Sequence, residues 1–205
     1  MKLIDLTHTL RSNITVFPGD EPIHLDQVRT LEDNGFNDYI LTTGMHVGTH
    51  IDGPLHLIAN RRMISELPLE QFTGKGVLID VRGESRIEFR ESFRTIIQPY
   101  SIVLFCSGLS YRFGTPGYFT DFPCLSEELA GFLVEQKVKM VGLDWPSPDH
   151  DPYPIHELLL QNNILILENL TNLGQLLYET DFEVFAFPLR IEADSSIVRA
   201  VARVD

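Results

Sequence analysis

Residues 44–56 read Gly44-Met45-His46-Val47-Gly48-Thr49-His50-Ile51-Asp52-Gly53-Pro54-Leu55-His56, and three of the chain's seven histidines fall within them. His46, His50 and Asp52 offer the nitrogen and oxygen donors that zinc accepts. His56 is a fourth candidate, either a further ligand or a base held beside one. Imidazole suits zinc, manganese or iron, and a carboxylate shifts the balance toward the harder ions. Two histidines four apart recur by chance; three with an aspartate, threaded with Gly48, Gly53 and Pro54, do so far less often. A straight strand would hold His46 and His50 about 13 Å apart, too far to share one ion. A regular helix would bring them onto one face, but Val47, Gly48, Thr49, Ile51, Gly53 and Pro54 make a poor helix. The stretch is therefore expected to be a strand that bends sharply at Gly48-Thr49. Gly48 would supply the bend and leave space beside the ion.

Upstream, residues 2–6 read as a short strand and residues 13–17 as an extended piece, followed by the turn Phe17-Pro18-Gly19-Asp20. A loop at 33–37 has hairpin character, and residues 38–45 form a strand that delivers the chain into the motif. Downstream, residues 65–72 suggest short helical turns, with Pro68 preventing a long helix. From Gly76 the pattern changes to buried strands at 77–81, 101–106 and 139–143. Between them lie expected helices over 88–98, ended by Pro99, and from an N-cap at Ser126 to about Lys137, with Glu127 and Glu128 where the helix dipole favours acids. A short helix over 155–161 carries His156, a strand over 164–167 ends at Glu168, and the tail at 182–191 and 196–204 alternates as an antiparallel hairpin. Strand–helix alternation implies right-handed parallel crossovers in an α/β fold.

Asp144, Asp149, His150, Asp151, His156 and Glu168 form a second concentration of donors, located where α/β folds place their sites. Glu168 directly follows an apolar run, and an ionised carboxylate there is costly unless paired or bound to metal. His150 and His156 compete for the role of ligand in this cluster. His8 and His24 stand outside both concentrations of donors.

Composition narrows the function. A chain of 205 residues with 43% hydrophobic and 22% charged content is ordinary for one soluble globular domain, 1–205. A net charge of −13 argues against a nucleic-acid partner and an anionic membrane surface, since both require a basic face. The N-terminus lacks the features of a signal peptide, and no window approaches a transmembrane span. Two cysteines, Cys106 and Cys124, are too few for a disulfide framework. Cytoplasmic residence is the expectation, with Cys106 a buried thiol rather than a nucleophile.

The pattern His-x-Gly-Thr-His-x-Asp-x-Pro-x-His at 46–56 resembles the signature of the cyclase family of metal-dependent hydrolases, which includes bacterial kynurenine formamidases and isatin hydrolases. The resemblance extends through Asp144, Ser147, His156-Glu157-Leu158-Leu159 and Glu168-Asn169-Leu170, and to the closing Phe187-Pro188-Leu189-Arg190 and Val198-Arg199-Ala200. The segment 80–125 matches less well. Leu57 stands where the family signature has an aromatic residue, and Phe17 where it often has tryptophan.

The resemblance implies a cyclase-like α/β fold, a swivelling β/β/α single domain with a mixed sheet and helices, in a homodimer. His46, His50 and Asp52 would bind one metal, His156 and Glu168 a second with Asp52 bridging, and His56 would be the catalytic acid/base. Zn2+ is the implied ion, one or two per chain, with Mn2+ the alternative. The substrate would be a small molecule, N-formylkynurenine or a related aryl formamide, and Phe17, Tyr111, Phe113 and Tyr118 are candidates to pack on its ring. Isatin-type lactam hydrolysis, or a cyclase or dehydratase reaction, would use the same metal and base. A non-catalytic metal-binding protein is the reading from a different class, and it predicts a closed ion with no position open to water.

Overall fold

The chain begins with β1 (Lys2–Asp5) and an exposed hairpin of β2 (His24–Arg29) and β3 (Asp38–Thr42), joined through the single helical turn α1 (Leu31–Asn34). It then enters β4 (His50–Asp52), three 3-10 turns and the long strand β5 (Thr73–Asp80). Next come β6 (Arg86–Ile87), the single turn α2 (Phe93–Ile96), β7 (Ile102–Cys106) and β8 (Cys124–Leu125). Helix α3 (Glu127–Glu135), β9 (Met140–Leu143), helix α4 (Pro154–Gln161), β10 (Leu165–Glu168), β11 (Phe182–Pro188) and β12 (Ser195–Val204) complete it. These elements come from a computed structural model, which describes residues 1–204.

Eight strands form one mixed sheet in the order β1-β12-β11-β5-β7-β9-β10-β4, and β4 also pairs with β12. That last pairing closes the sheet into a barrel-like ring. The strands β5, β7, β9 and β10 run parallel to one another, as the strand–helix alternation requires. The antiparallel hairpin β11–β12 supplies the rest of the ring.

Side chains alternate between two cores. Ile51, Ile102, Leu104, Leu165 and Leu167 fill the interior of the ring. Val103, Phe105, Val141, Leu143 and Ile166 face outward and are covered by Leu129, Phe132 and Leu133 of α3 and Ile155, Leu159 and Leu160 of α4. Each such side chain, fully buried, contributes about 1.5–3 kcal/mol of transfer free energy. Ser126 caps α3 as expected, its hydroxyl accepting from the Leu129 N–H at 3.2 Å.

This alternation positions the site. In β4, Ile51 points inward, so His50 and Asp52 point outward. In β10, Leu167 points inward, so Glu168 points outward, directly opposite His50 in the antiparallel register. On its other side Asp52 is opposite Ser195 of β12. A one-residue slip of either register would move these groups into the apolar interior.

Two elements differ from the expectation. Residues 88–98 make only the turn α2, not a helix. Arg86–Ile87 pairs with Cys124–Leu125, which keeps the chain before it extended. Phe89 then packs across Phe132 with ring centroids 5.0 Å apart, and the Arg94 guanidinium lies over both rings. The helical apolar spacing thus serves an irregular segment clamped onto α3. Residues 13–17 likewise form no strand.

Gly48 makes the bend before β4, with φ +65°. The space it leaves does not face the donor cluster: a Cβ there would lie 2.8 Å from Cδ2 of Leu10. Gly48→Ala is expected to cost about 1–2 kcal/mol from the left-handed backbone alone. That corresponds to a fall of about 2–8 °C in melting temperature. An unchanged thermal transition would contradict this role.

Candidate metal centre

The bend folds His46 back over β4, so that His46 Nδ1 lies 2.8 Å from Asp52 Oδ1, and His50 Nε2 lies 3.4 Å from the same oxygen. His156, on the first turn of α4, approaches from the other side, its Nε2 3.7 Å from Asp52 Oδ2 and 3.3 Å from Glu168 Oε1. The second Glu168 oxygen is 3.4 Å from His50 Nε2. His46, His50, His156 and Glu168 therefore meet around one buried carboxylate, Asp52, which is 1% exposed. His150 does not join them. It is exposed and packs beside Phe122, while His156 lies at the cluster.

Three atoms at this meeting point, His50 Nε2, Asp52 Oδ1 and Glu168 Oε1, are buried without any hydrogen-bond partner. Unsatisfied buried polar atoms are expensive, and these three sit on facing side chains. Oxygen and nitrogen atoms of His50, Asp52 and Glu168 lie within 4.8 Å of one another, as do those of His46, Asp52 and His56. The donor set fits a divalent transition ion, and Asp52 belongs to both groups.

The other ring nitrogen of each inner histidine is tied down. His50 Nδ1 is 2.8 Å from the Gly48 carbonyl, His46 Nε2 is 2.9 Å from Asp194 Oδ2, and His156 Nδ1 is 2.6 Å from Asp149 Oδ1. With an ion in the cluster, the acceptor on the outer nitrogen would keep the proton there and leave a lone pair on the nitrogen that faces the ion. Outer partners of this kind orient metal-binding imidazoles. Asp149 also accepts from the Ile155 N–H at the start of α4, so one carboxylate fixes both the helix and its histidine. Asn169 supports the bend, its Nδ2 donating to the Gly48 carbonyl at 3.1 Å and its backbone carbonyl accepting from the Thr49 hydroxyl at 2.6 Å.

Electrostatics follows from this crowding. Burial opposes protonation of His46, but Asp52 and Asp194 outweigh it and push its pKa up to about 10. His50, also opposed by burial, is pushed up to about 9 by Asp52 and Glu168. Asp52 resists burial because His46 and His50 hold its carboxyl well below the usual range. The cluster thus binds protons wherever it lacks another cation. Cys106 is 2% exposed, and burial with the nearby Asp144 and Asp80 carboxylates pushes its thiol up to about 12, which fits a structural thiol.

The cluster forms the floor of a cavity of about 300 Å³, with Phe17, Asp20, Leu57, Phe119, Pro146 and Tyr153 among its walls. That size suits a small molecule. Phe17 and Phe119 meet edge to face at its rim, ring centroids 5.6 Å apart. Of the other aromatic candidates, Tyr111 is 83% exposed, Phe113 stacks on His8, and Tyr118 is buried with its hydroxyl donating to Asn169 Oδ1. None of these three lines the cavity; Phe119 takes the place expected of them.

Comparison with known proteins agrees with this arrangement. A family model described as "Putative cyclase" matches residues 4–150. A kynurenine formamidase of Bacillus cytotoxicus is 32% identical over 98% of this chain and 96% of its own. The chain belongs to the cyclase family. Among solved members of the family's fold, isatin hydrolase A from Labrenzia aggregata, bound to benzyl benzoate, superimposes with a TM-score of 0.87 at 25% identity, over 99% of this chain and 93% of the other. Isatin hydrolase A from Ralstonia solanacearum gives 0.88 at 23% identity, over 100% and 92%. The mixed α/β cyclase-like fold read from the sequence is therefore the fold of the chain.

Sequence reasoning missed Asp194 altogether and gave Asp149 no role. No local pattern marks Asp194, whose partners His56 and His46 are 138 and 148 residues away. Asp149 carried a weak signal, an acid a few residues before a histidine at a helix start.

Proposed function

We propose that this protein is a metal-dependent hydrolase of aryl formamides, with N-formylkynurenine the preferred substrate and formate and kynurenine the products. The observation that carries the reading is the set of unpartnered buried donors on His50, Asp52 and Glu168 at the floor of an aromatic-rimmed cavity, with His56 beside them. The relation to kynurenine formamidases over nearly the full length supports the choice of substrate and the treatment of 1–205 as one domain.

His46 and His50 converge on Asp52 Oδ1 and would hold one ion; His156, which approaches Asp52 Oδ2, would hold a second together with Glu168, whose two oxygens lie 3.3 Å from His156 Nε2 and 3.4 Å from His50 Nε2. Zinc is the preferred ion and manganese the alternative. A divalent ion there supplies Lewis acidity and lowers the pKa of water. His56 takes the proton from the attacking water and returns one to the leaving nitrogen, a pair of steps that imidazole suits near neutral pH. Phe17 and Phe119, in contact with each other at the rim, would offer one apolar surface to the aryl ring. A structural ion alone would give no reason for a cavity over the cluster or for His56 at its edge.

Isatin-type lactam hydrolysis is the second reading, favoured by the superposition on isatin hydrolase A. A substrate panel separates the two. Zinc-loaded protein is expected to turn over N-formylkynurenine with a kcat/KM at least about tenfold above that for isatin, a difference of about 1.4 kcal/mol in transition-state binding. The reverse order would establish the lactam reading, and no turnover of either would remove both.

Metal binding should be linked to pH. Below about 9 both His46 and His50 hold protons, since their pKa values are raised to about 10 and about 9. An entering ion must release them, so its apparent affinity rises with pH, by roughly ten- to hundredfold per unit, and levels off above that range. Competition titration against a chelator across pH 6.5 to 8.5, corrected for the chelator's own protonation, measures the slope. A flat affinity would contradict the ligand assignment.

The hairpin β2–β3 exposes Leu31, Phe36, Tyr39, Ile40 and Leu41. A lone two-stranded ribbon is marginal in water, which supports a homodimer in which this apolar ribbon is covered. Among the described residues no helix is long and apolar enough to cross a membrane. The free cysteines fit the proposed cytoplasmic location.

A further inference from the structure

Three groups converge on a single oxygen outside the donor cluster. Asp194 Oδ2 is 2.9 Å from His46 Nε2, 3.2 Å from His56 Nδ1 and 3.0 Å from the Ser195 hydroxyl. The two imidazoles lie side by side with ring centroids 4.2 Å apart. Nothing in the proposed reaction requires one carboxylate to serve both.

The backbone around Asp194 is pinned on two sides. The Gly53 N–H donates to the Asp194 carbonyl at 3.2 Å, and the Ile64 N–H donates to the Ala193 carbonyl at 2.9 Å. Gly53 permits the first contact, because a Cβ there would lie 2.4 Å from the Asp194 carbonyl oxygen. Ser195, the next residue, is in register with Asp52. The closure of the ring at β4–β12 therefore sets where this carboxylate stands relative to the motif.

We propose that Asp194 is a positioning residue that serves both halves of the site at once: it holds His46 with Nδ1 toward Asp52 and holds His56 as the Nδ1–H tautomer with a free Nε2. A neutral imidazole has one N–H and one lone pair, and the acceptor decides which nitrogen carries the proton. With Asp194 accepting from His56 Nδ1, the lone pair falls on Nε2, the state a general base requires. The same oxygen accepting from His46 Nε2 leaves its Nδ1 lone pair for the ion. The proposal rests on the reading of the cluster as a hydrolytic metal site.

The test uses Asp194→Asn and Asp194→Ala in the full chain. Long-range ¹H–¹⁵N spectra of histidine-labelled protein read the His56 tautomer, and this measurement needs neither metal nor substrate. The expected result is the Nδ1–H form in the parent and a shift toward Nε2–H in Asp194→Ala. Zinc affinity, measured by chelator competition, is expected to fall about 10–100-fold, the usual cost of losing an outer partner of a ligand. At saturating zinc, kcat for the formamide should fall further than KM changes. An unchanged His56 tautomer overturns the proposal, as does unchanged zinc affinity, since each removes one of the two functions. If Asp194→Ala fails to fold, Asp194→Asn, which keeps the volume and removes the charge, is read through zinc affinity, because its amide oxygen can still accept from His56 Nδ1; unchanged affinity there overturns the proposal. Should the parent bind zinc yet hydrolyse no formamide, the substrate reading fails while the tautomer and affinity results still decide the role of Asp194.

Discussion

Asp52→Asn is expected to bring formamide turnover close to the uncatalysed level and to leave purified protein with little or no bound divalent metal. Asp52 lies at the centre of the cluster, with Oδ1 toward His46 and His50 and Oδ2 toward His156. An amide of the same shape keeps the volume but replaces one anionic oxygen by a donor, which repels a cation. Loss of the ion removes several kcal/mol of transition-state stabilisation, hence about 10³–10⁵-fold in rate. Metal analysis distinguishes this from simple unfolding, provided the circular dichroism of the variant matches the parent. Glu168→Gln should act more narrowly, costing mainly the ion on the Oδ2 side. Full metal content and turnover in Asp52→Asn would refute its central place.

His56→Ala should behave differently: metal retained, turnover reduced about 10²–10⁴-fold. The His56 side chain is about one-third exposed at the edge of the cluster and is anchored through Nδ1 to Asp194, so its removal opens no buried hole. The rate loss should shrink for formamides with better leaving groups, because these need less protonation of the departing nitrogen. A variant that keeps full activity would take His56 out of the mechanism. One that loses its metal would make His56 a ligand, which its proximity to His46 and Asp52 also allows.

Much of this site was legible in the sequence because its chemistry is concentrated. His46, His50 and Asp52 are close enough in the chain that only a bend could unite them, and Gly48 stood where the bend was needed. Glu168 was legible for an energetic reason: a carboxylate directly after an apolar strand needs a partner. The parallel strands were equally readable, since 77–81, 101–106 and 139–143 are apolar runs of strand length. The failures have physical causes too. Apolar spacing over 88–98 suited a helix, but Phe89 is used to clamp irregular chain onto Phe132 of α3. Tyr111, Phe113 and Tyr118 share a loop with Phe119, and composition alone does not say which ring faces the cavity. Asp194 is set by the pairing of β12 with β4, a contact between the end of the chain and its first quarter. Such contacts leave no trace in local pattern.

The central claim, that this cluster holds the ion through which the chain hydrolyses aryl formamides, is tested most directly by titrating metal-free protein with zinc while following N-formylkynurenine turnover. Turnover is expected to start near zero, rise with bound zinc and reach a plateau at one or two ions per chain. Asp52→Asn should remain at baseline throughout. Equal turnover in metal-free and zinc-loaded protein, or zinc uptake by Asp52→Asn equal to that of the parent, would contradict the account.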